Sequence, residues 1–484
     1  MLELGQLNHP SSVNVDCVDR TRDFGNTPPK GHAFGKLTER LMKLGVEIEG
    51  TRPIPPEQRT DTRIYQLFWL WFSVNFNILS FTTGTAGPAF FGLGLESSLL
   101  TILFTDILFC AIPSCCLYGA ILPSVLNVIS MQGFLILNCI VGGQILSAAS
   151  NGKLDDTLGI VVISLISLVV CFCGYRVIHW FESTAWIPVA IVLPILLGLG
   201  NKHLNPSNMP SVPAPTVSQI LSFATFVASS SVISCTVTPD YGVYHDRKAS
   251  SLKIFLYVYS GYLTSTITWN MVGAAFAAAA PQVPSWQLGY GENGNLGGLL
   301  LAIFAPTKGF GNFVLVVLAL NTSCAAAPTM YSFGTSFLAI TPALARVPRY
   351  IFVIISEIIL IPLAIIGAKR FYSTIVNVLS VIGYWTTAYG IIILTEHFLF
   401  RHASFRSYNT AHWDQSRHLP VGIAAAASFL CAVAFIVLCM EQTWFTGPIA
   451  KMGTGDIGVF VAAGAAVVFY VPLRALERKV WPGR

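Results

Sequence analysis

The stretch from Gln66 to Leu95, QLFWLWFSVNFNILSFTTGTAGPAFFGLGL, constrains this chain more than any other part of it. It exceeds the roughly 20 apolar residues that a helix needs to cross a bilayer. Its middle, however, reads Thr82-Thr83-Gly84-Thr85-Ala86-Gly87-Pro88. Glycine costs backbone entropy in a helix, and proline lacks the N–H and clashes with the preceding turn. The segment therefore predicts a transmembrane helix that unwinds at Thr82–Pro88. Lipid cannot satisfy freed backbone groups, so unwound chain at that depth must face protein or a wet cavity. Interrupted helices of this kind build substrate and ion sites in many secondary transporters. The plainer reading of the same residues is a proline kink that helps helices pack.

The rest of the composition fits a membrane setting. Of 484 residues, 54% are hydrophobic and 11% charged, with mean hydropathy +0.64; soluble domains carry about 25% charged residues. The net charge of +5 is no nucleic-acid signal, because the basic residues lie in loops beside apolar spans. The polar N-terminal region has no long apolar core, so no cleavable signal peptide is expected. Most of the eleven cysteines sit inside apolar runs and behave as small hydrophobes, which implies neither a disulfide framework nor a metal site.

Apolar periodicity gives twelve spans, near 66–92, 96–121, 124–150, 156–175, 184–200, 217–239, 252–280, 312–340, 350–368, 373–398, 420–440 and 456–473. Residues 281–311 read as a Gly- and Pro-rich loop with a short helix near 296–304. With a cytoplasmic N-terminus, 22 of the 28 Lys and Arg residues fall on the inner side, which favours both termini inside. The expected organisation is a disordered cytoplasmic tail over 1–65, a transport core over 66–398, a cytoplasmic loop over 399–419, two C-terminal transmembrane helices over 420–473 and a cytoplasmic tail over 474–484. The sixth span, Leu221 to Pro239, carries Ser229 to Ser231 near its middle and Pro239 at its end. First and sixth spans both interrupted is the pattern of a five-plus-five inverted repeat. The break at the serines is the weaker one, since serine can bond back to its own turn.

Several segments together resemble the nucleobase–cation symporter family, and within it the fungal purine–cytosine permease branch. They are Gly45-Val-Glu-Ile-Glu-Gly50 with Glu57-Gln-Arg-Thr60 before the first span, Asn138-Cys-Ile-Val-Gly-Gly-Gln-Ile-Leu146 in the third and Glu182-Ser-Thr-Ala-Trp-Ile-Pro188 opening the fifth. Asp240-Tyr-Gly-Val-Tyr244 closes the sixth, Pro328-Thr-Met-Tyr-Ser332 lies in the eighth, and Ile382-Gly-Tyr-Trp385 with Glu396-His-Phe-Leu-Phe-Arg401 in the tenth. Gln442-Thr-Trp-Phe-Thr-Gly-Pro-Ile-Ala-Lys451 and Pro472-Leu-Arg474 follow near the end. The resemblance runs from about residue 45 to the C-terminus. It implies an all-α polytopic inverted-repeat transporter with helices 1 and 6 broken, in which spans one, three, six and eight surround one flat heterocycle. It also implies proton symport of cytosine, adenine, guanine or hypoxanthine, with relatives that carry pyridoxine.

The chain departs from that pattern where it matters. Phe134 stands where the family has a tryptophan four residues before Asn138, and Ser231-Val-Ile-Ser234 has no aromatic where the family stacks one. Ala325 and Ala326 replace two asparagines before Pro328, and Thr329 replaces one after it. A site that reads polar edges can lose about 10⁴–10⁵ in discrimination when those partners go, so the family's substrate does not carry over unexamined. The family's basic loop between spans two and three is also missing, because Leu117-Tyr-Gly-Ala-Ile-Leu-Pro-Ser124 joins them almost directly.

The expected substrate-binding set is Ser80, Thr83 and Gly84 at the first break, Phe134 and Asn138, Ser234, Pro328 and Thr329. Phe134 and Asn138 share a helix face; Asn138 serves either a substrate or interhelical packing. Glu182 is the proton-coupling candidate, or else an interfacial carboxylate paired with Arg176 or His179. Asp106 and Glu357 fall inside spans and need partners there, with a structural or lumen-facing role; Asp240 is a tether for a cation such as Arg247. Gly453-Thr-Gly455-Asp-Ile-Gly458 fits a dinucleotide fingerprint but lacks its strand–turn–helix context, and Asn321-Thr-Ser323 is a glycosylation sequon buried within a span.

The expectation is a plasma-membrane permease that imports a purine or cytosine nucleobase or related N-heterocycle, with a proton as coupling ion, no cofactor and no nucleic-acid partner. Alternatives are a carrier of another ring compound, pyridoxine or allantoin, and a non-transporting sensor or decayed relative. No nucleophile–base pair or metal cluster points to an enzyme.

Overall fold

The computed structural model describes residues 62–115, 121–172, 175–205, 209, 212–238, 250–291, 294–340, 349–404, 407 and 420–482. Most of the expected N-terminal tail, residues 116–120 of the short connection, Asp240 and Arg247 lie outside this set, as do the side chains of Glu182 and Pro328.

The described chain is almost entirely helical. In order come α1 (Gln66–Asn75), α2 (Ile78–Ala89), α3 (Leu95–Phe109), α4 (Ala111–Cys115), α5 (Ile121–Ala149), α6 (Asp156–Phe172), α7 (Tyr175–Gly200) and α8 (Val217–Val232). There follow α9 (Ser251–Ala279), α10 (Pro284–Tyr290), α11 (Leu296–Phe304), α12 (Gly309–Ile340), α13 (Arg349–Ala368), α14 (Phe371–Thr395), α15 (Ile423–Cys439) and α16 (Gly458–Val480). Among the described residues, six helical segments are long and apolar enough to cross a membrane, and five shorter ones are similarly apolar. The loop expected over 281–311 contains α11 where a short helix is expected, and α10 besides. One hairpin, Glu441–Gln442 paired with Phe445–Thr446, departs from the all-helical expectation.

The first span is interrupted, but not where its glycines and proline suggest. Gly84 and Pro88 lie inside α2; the helix stops at Asn75 and restarts at Ile78. Asn77 sets the break. Its extended backbone (φ −137°, ψ 167°) leaves the helix, and its Oδ1 accepts from the N–H groups of Leu79 and Ser80, as an N-cap does. Its Nδ2 donates to the Val74 carbonyl, Asn75 Nδ2 to Trp71 O, and Ser80 Oγ to Asn75 O. The interruption is capped from within, which lets it persist at membrane depth.

The glycines serve packing instead. A Cβ on Gly84 would overlap the Asn270 carbonyl of α9, and one on Gly273 of α9 would overlap the Phe81 carbonyl of α2. The two backbones approach so closely that only glycine fits, the small-residue seam common between membrane helices. Pro88 is absorbed in the last turn of α2.

The sixth span changes character later than its serines suggest. Ser229 and Ser230 donate back to Thr225 O and Val227 O, so α8 runs on to Val232 and tightens into a 3₁₀ turn over Ile233–Thr236. Packing joins α9 to α1 and α2, α5 to α12, α8 to α14, and α15 to α16, which also lies along α14. The fifth span is one helix from Tyr175, so Glu182 stands inside α7 rather than at a helix start.

Between α15 and α16 the chain folds back into the bundle at Asp456, inside the discarded glycine motif. Its backbone N–H donates to Ser222 Oγ (2.8 Å) and its carbonyl accepts from Thr225 (2.7 Å), both on α8. Its carboxylate accepts from Gly458 N (2.9 Å), Gln442 Nε2 (3.0 Å) and the Tyr384 hydroxyl of α14. Burial outweighs these donors and pushes the carboxyl up to about 6.

Candidate functional site

Where the two interruptions meet, α1, α2, α5, α8, α9, α12 and α14 leave a cavity of about 790 Å³, counting its open mouth. Its walls carry Trp71, Asn75 and Asn77 from the first break, Ser80 and Thr83 from α2, Phe134 from α5, Ser230 from α8 and Ser234 from the 3₁₀ turn. Thr266 of α9 and Thr329 of α12 complete the polar part.

The chemistry of this wall is lopsided. Thr83 donates to Leu79 O, Ser230 to Val227 O and Thr329 to Ala325 O. Ser80 caps Asn75 O, and Ser234 pairs with the Tyr262 hydroxyl at 2.9 Å. A hydroxyl has one proton and two lone pairs, so side chains whose protons are spent on helix carbonyls offer mainly acceptors. Asn75 likewise spends an amide proton on Trp71 O. The cavity therefore suits a planar solute with N–H donors at its edge and faces that can lie against Phe134 and Trp71.

Five of the sequence-predicted residues, Ser80, Thr83, Phe134, Ser234 and Thr329, are brought to this one wall. Two are not. Gly84 is filled by the α9 backbone. Asn138 is fully buried off the wall, with Nδ2 donating to Phe134 O and, among the described residues, no partner for its Oδ1. Trp71, Asn75, Ser230 and Thr266 were not anticipated. For the asparagines a signal existed: Asn75-Phe-Asn77 interrupts an apolar run just before Ile78-Leu-Ser80, the form of an N-cap. Ala325 and Ala326 are buried and add no polar group.

Beyond Thr83, at the far end of α2, a second, open recess lies between Pro88, Gly92, Val212, Pro281, Tyr290 and Tyr372. At its floor the Thr85 hydroxyl meets the Tyr372 hydroxyl at 2.9 Å, and Tyr372 in turn meets Tyr290. Burial raises the Tyr290 phenol above its ordinary range, so it stays protonated and available to this chain. Phe90 stacks on Tyr372 at 5.9 Å.

The chain is also similar to known proteins. Residues 53–115 and 114–461 match the family described as permease for cytosine/purines, uracil, thiamine, allantoin. The two pieces meet just before the connection that is short in this sequence. The purine-cytosine permease of Emericella nidulans is 31% identical over 98% of this chain and 99% of its own length. The vitamin B6 transporter of Saccharomyces cerevisiae is 25% identical over 91% of this chain and 89% of its own. Among solved structures, a nucleobase-cation-symport-1 family transporter in a closed conformation with bromovinylhydantoin bound superposes with a TM-score of 0.58. It is 14% identical, over 90% of this chain and 98% of that one, so the likeness is one of fold.

Proposed function

The chain belongs to the family of permeases for cytosine/purines, uracil, thiamine and allantoin, and on that premise we propose that it imports a purine or cytosine nucleobase by alternating access, with a proton as the coupling ion. It is a membrane transporter and not an enzyme. The observation that carries the substrate reading is the cavity between the two interrupted spans, lined by Trp71 and Phe134 and by the hydroxyls of Ser80, Thr83, Ser230 and Thr329, which are bonded to carbonyls of their own segments. A nucleobase is flat, stacks, and presents ring and exocyclic N–H groups. In this reading twelve spans, the first ten an inverted repeat, place the cavity near the midplane of the plasma membrane with both termini in the cytoplasm.

Alternating access needs a seal on each side in turn. The hydroxyl chain Thr85–Tyr372–Tyr290 joins α2 to α14 and to α10 at the floor of the second recess. On the positive-inside orientation this recess faces outward, and the three hydroxyls are the closed outer seal. Opening it costs only neutral hydrogen bonds of about 1 kcal/mol each, a suitable size for a gate. Glu182 of α7 is the acid proposed from sequence to exchange the coupling proton.

Uptake of radiolabelled cytosine, adenine and hypoxanthine by cells lacking their own permeases tests the proposal. Uptake of at least one is expected, and Phe134→Ala should weaken it about tenfold, the value of a lost aromatic contact of roughly 1.5 kcal/mol. Absence of uptake for all three, with the protein at the cell surface, contradicts it. A second reading, carriage of a pyridoxine-like ring, is supported by the likeness to a vitamin B6 transporter. Labelled pyridoxine and allantoin in the same assay decide between the two.

A further inference from the structure

Asp106 of α3 is fully buried, and among the described residues no cation pairs with it. Its carboxylate is held by two neutral side chains from two other helices. Ser231 Oγ of α8 donates to Oδ1 at 2.8 Å, and Asn270 Nδ2 of α9 donates to Oδ2 at 3.0 Å. An isolated charge out of water is costly unless it is paired, and such groups commonly take up a proton instead. The second observation is on the partner: Asn270 Oδ1 is itself buried and has no hydrogen-bond partner among the described residues. A carboxamide turned over about its last bond exchanges donor for acceptor with little change of shape. With Nδ2 forward, Asn270 serves the ionised acid; with Oδ1 forward, it accepts from the O–H of the neutral one. The cradle is built to be satisfied in both states.

Its place in the fold ties this site to the cavity. Ser231 sits between the wall residue Ser230 and the turn carrying Ile233 and Ser234. Thr266, also on the wall, lies one turn before Asn270, and the Asn270 carbonyl is the group against which Gly84 of α2 packs. The Ser231 hydroxyl has an alternative acceptor in Val227 O at 3.3 Å, so a proton on Asp106 frees α8 from α3 without leaving a donor unpaired. The titratable groups around the acid are Cys110 following α3 and Tyr262 on α9, with Cys235 after α8 beside Tyr262. The other charged residues of these helices are Glu96 on α3 and Lys253 on α9, both in first turns; α2, α4 and α8 have none.

We propose that Asp106, cradled by Ser231 and Asn270, is a binding site for the coupling proton, and that its occupancy sets how firmly α8 is held behind the substrate cavity. This rests on the proton-symport reading above and assigns the proton to a side chain other than Glu182. The step is a simple protonation. A proton from water bonds to a carboxylate oxygen, the charge is neutralised, and the same proton leaves to water on the other side.

The test uses full-length protein in proteoliposomes, with labelled nucleobase and an imposed proton gradient. In the wild type, gradient-driven accumulation above the outside level establishes symport; its absence with intact exchange overturns the proton reading itself, and this proposal with it. Given wild-type accumulation, Asp106→Asn should lose accumulation entirely while still exchanging labelled for unlabelled base. Accumulation retained in Asp106→Asn overturns the proposal. If Asp106→Asn fails to fold, infrared difference spectra on acidification provide the second readout. Ser231→Ala, which removes one donor, should shift the C=O band of the neutral carboxyl that forms in the wild type. An unshifted band assigns the proton elsewhere and overturns the proposal.

Discussion

Glu396 and Asp106 are both carboxylates withdrawn from water, one just past α14 and the other in α3, and they are held in opposite ways. Arg474 of α16 grips Glu396 with two parallel bonds, Nε to Oε2 and Nη2 to Oε1, each 3.1 Å. Arg401 adds a third at 3.1 Å and the Tyr470 hydroxyl a fourth at 3.0 Å. The same guanidinium reaches Glu477 at 2.8 Å, and Glu477 caps the first turn of α15 through Ile423 N. Forked, charge-assisted bonds of this kind are strong and fix orientation. They pin the C-terminal helix pair to the end of α14. Asp106 has only neutral donors, as does the gate formed by Thr85, Tyr372 and Tyr290. The difference separates a fixed anchor from parts that can exchange partners, and it follows the division of labour that alternating access demands.

Breaking the anchor should have the largest effect. Arg474→Met leaves Glu396 and Glu477 short of their main cation, and removing one partner of a buried pair costs about 3 kcal/mol or more. A large fall in melting temperature and loss of surface protein are expected; an unchanged melting temperature would erase the distinction drawn here. Gly84→Ala should follow at about 1–3 kcal/mol, because the new methyl must push α2 from the Asn270 carbonyl where neither backbone can yield. Asp106→Asn should cost less than about 1 kcal/mol, because an amide keeps one acceptor for the cradle and discards the buried charge. A loss as large as that of Arg474→Met would mean that Asp106 is an anchor too.

The smallest expected effect concerns Asp456. Its carboxyl, raised from 3.8 to about 6 by burial, favours the proton more when folded than when unfolded. Protonation therefore strengthens the docking of its loop on α8 and α14, and that share of stability fades as pH rises through about 6. Amide exchange over residues 441–457, corrected for intrinsic rates, should be slower near pH 5 than near pH 8, and Asp456→Asn should remove the difference. Equal protection in the unmodified protein at both pH values would contradict the shift.

How much of this was legible depends on sequence distance. Ser80, Thr83, Phe134, Ser234 and Thr329 could be singled out because the resemblance and the interrupted spans each point at short local segments. The position of the first break was misread because Gly84 and Pro88 are helix breakers by propensity, while tertiary contact decides their use: α9 needs the space at Gly84, and Asn77 supplies the cap that actually ends the helix. Glu182 was read at the start of a span because its polar neighbours mark an edge, though the helix runs through them. The cradle of Asp106 and the grip on Glu396 were out of reach. Their partners lie 125, 164 and 78 residues away in sequence, and no local periodicity reports such pairs.

Thiol labelling at Ser234 tests most directly whether a nucleobase occupies the space between the two interrupted spans. Ser234→Cys should react with a small permeant alkylating reagent faster than the native cysteines do. A base that the protein transports, present at about ten times its dissociation constant, should slow that reaction about tenfold. Labelling at Ser234→Cys that is unaffected by a base the same cells take up would place the substrate elsewhere.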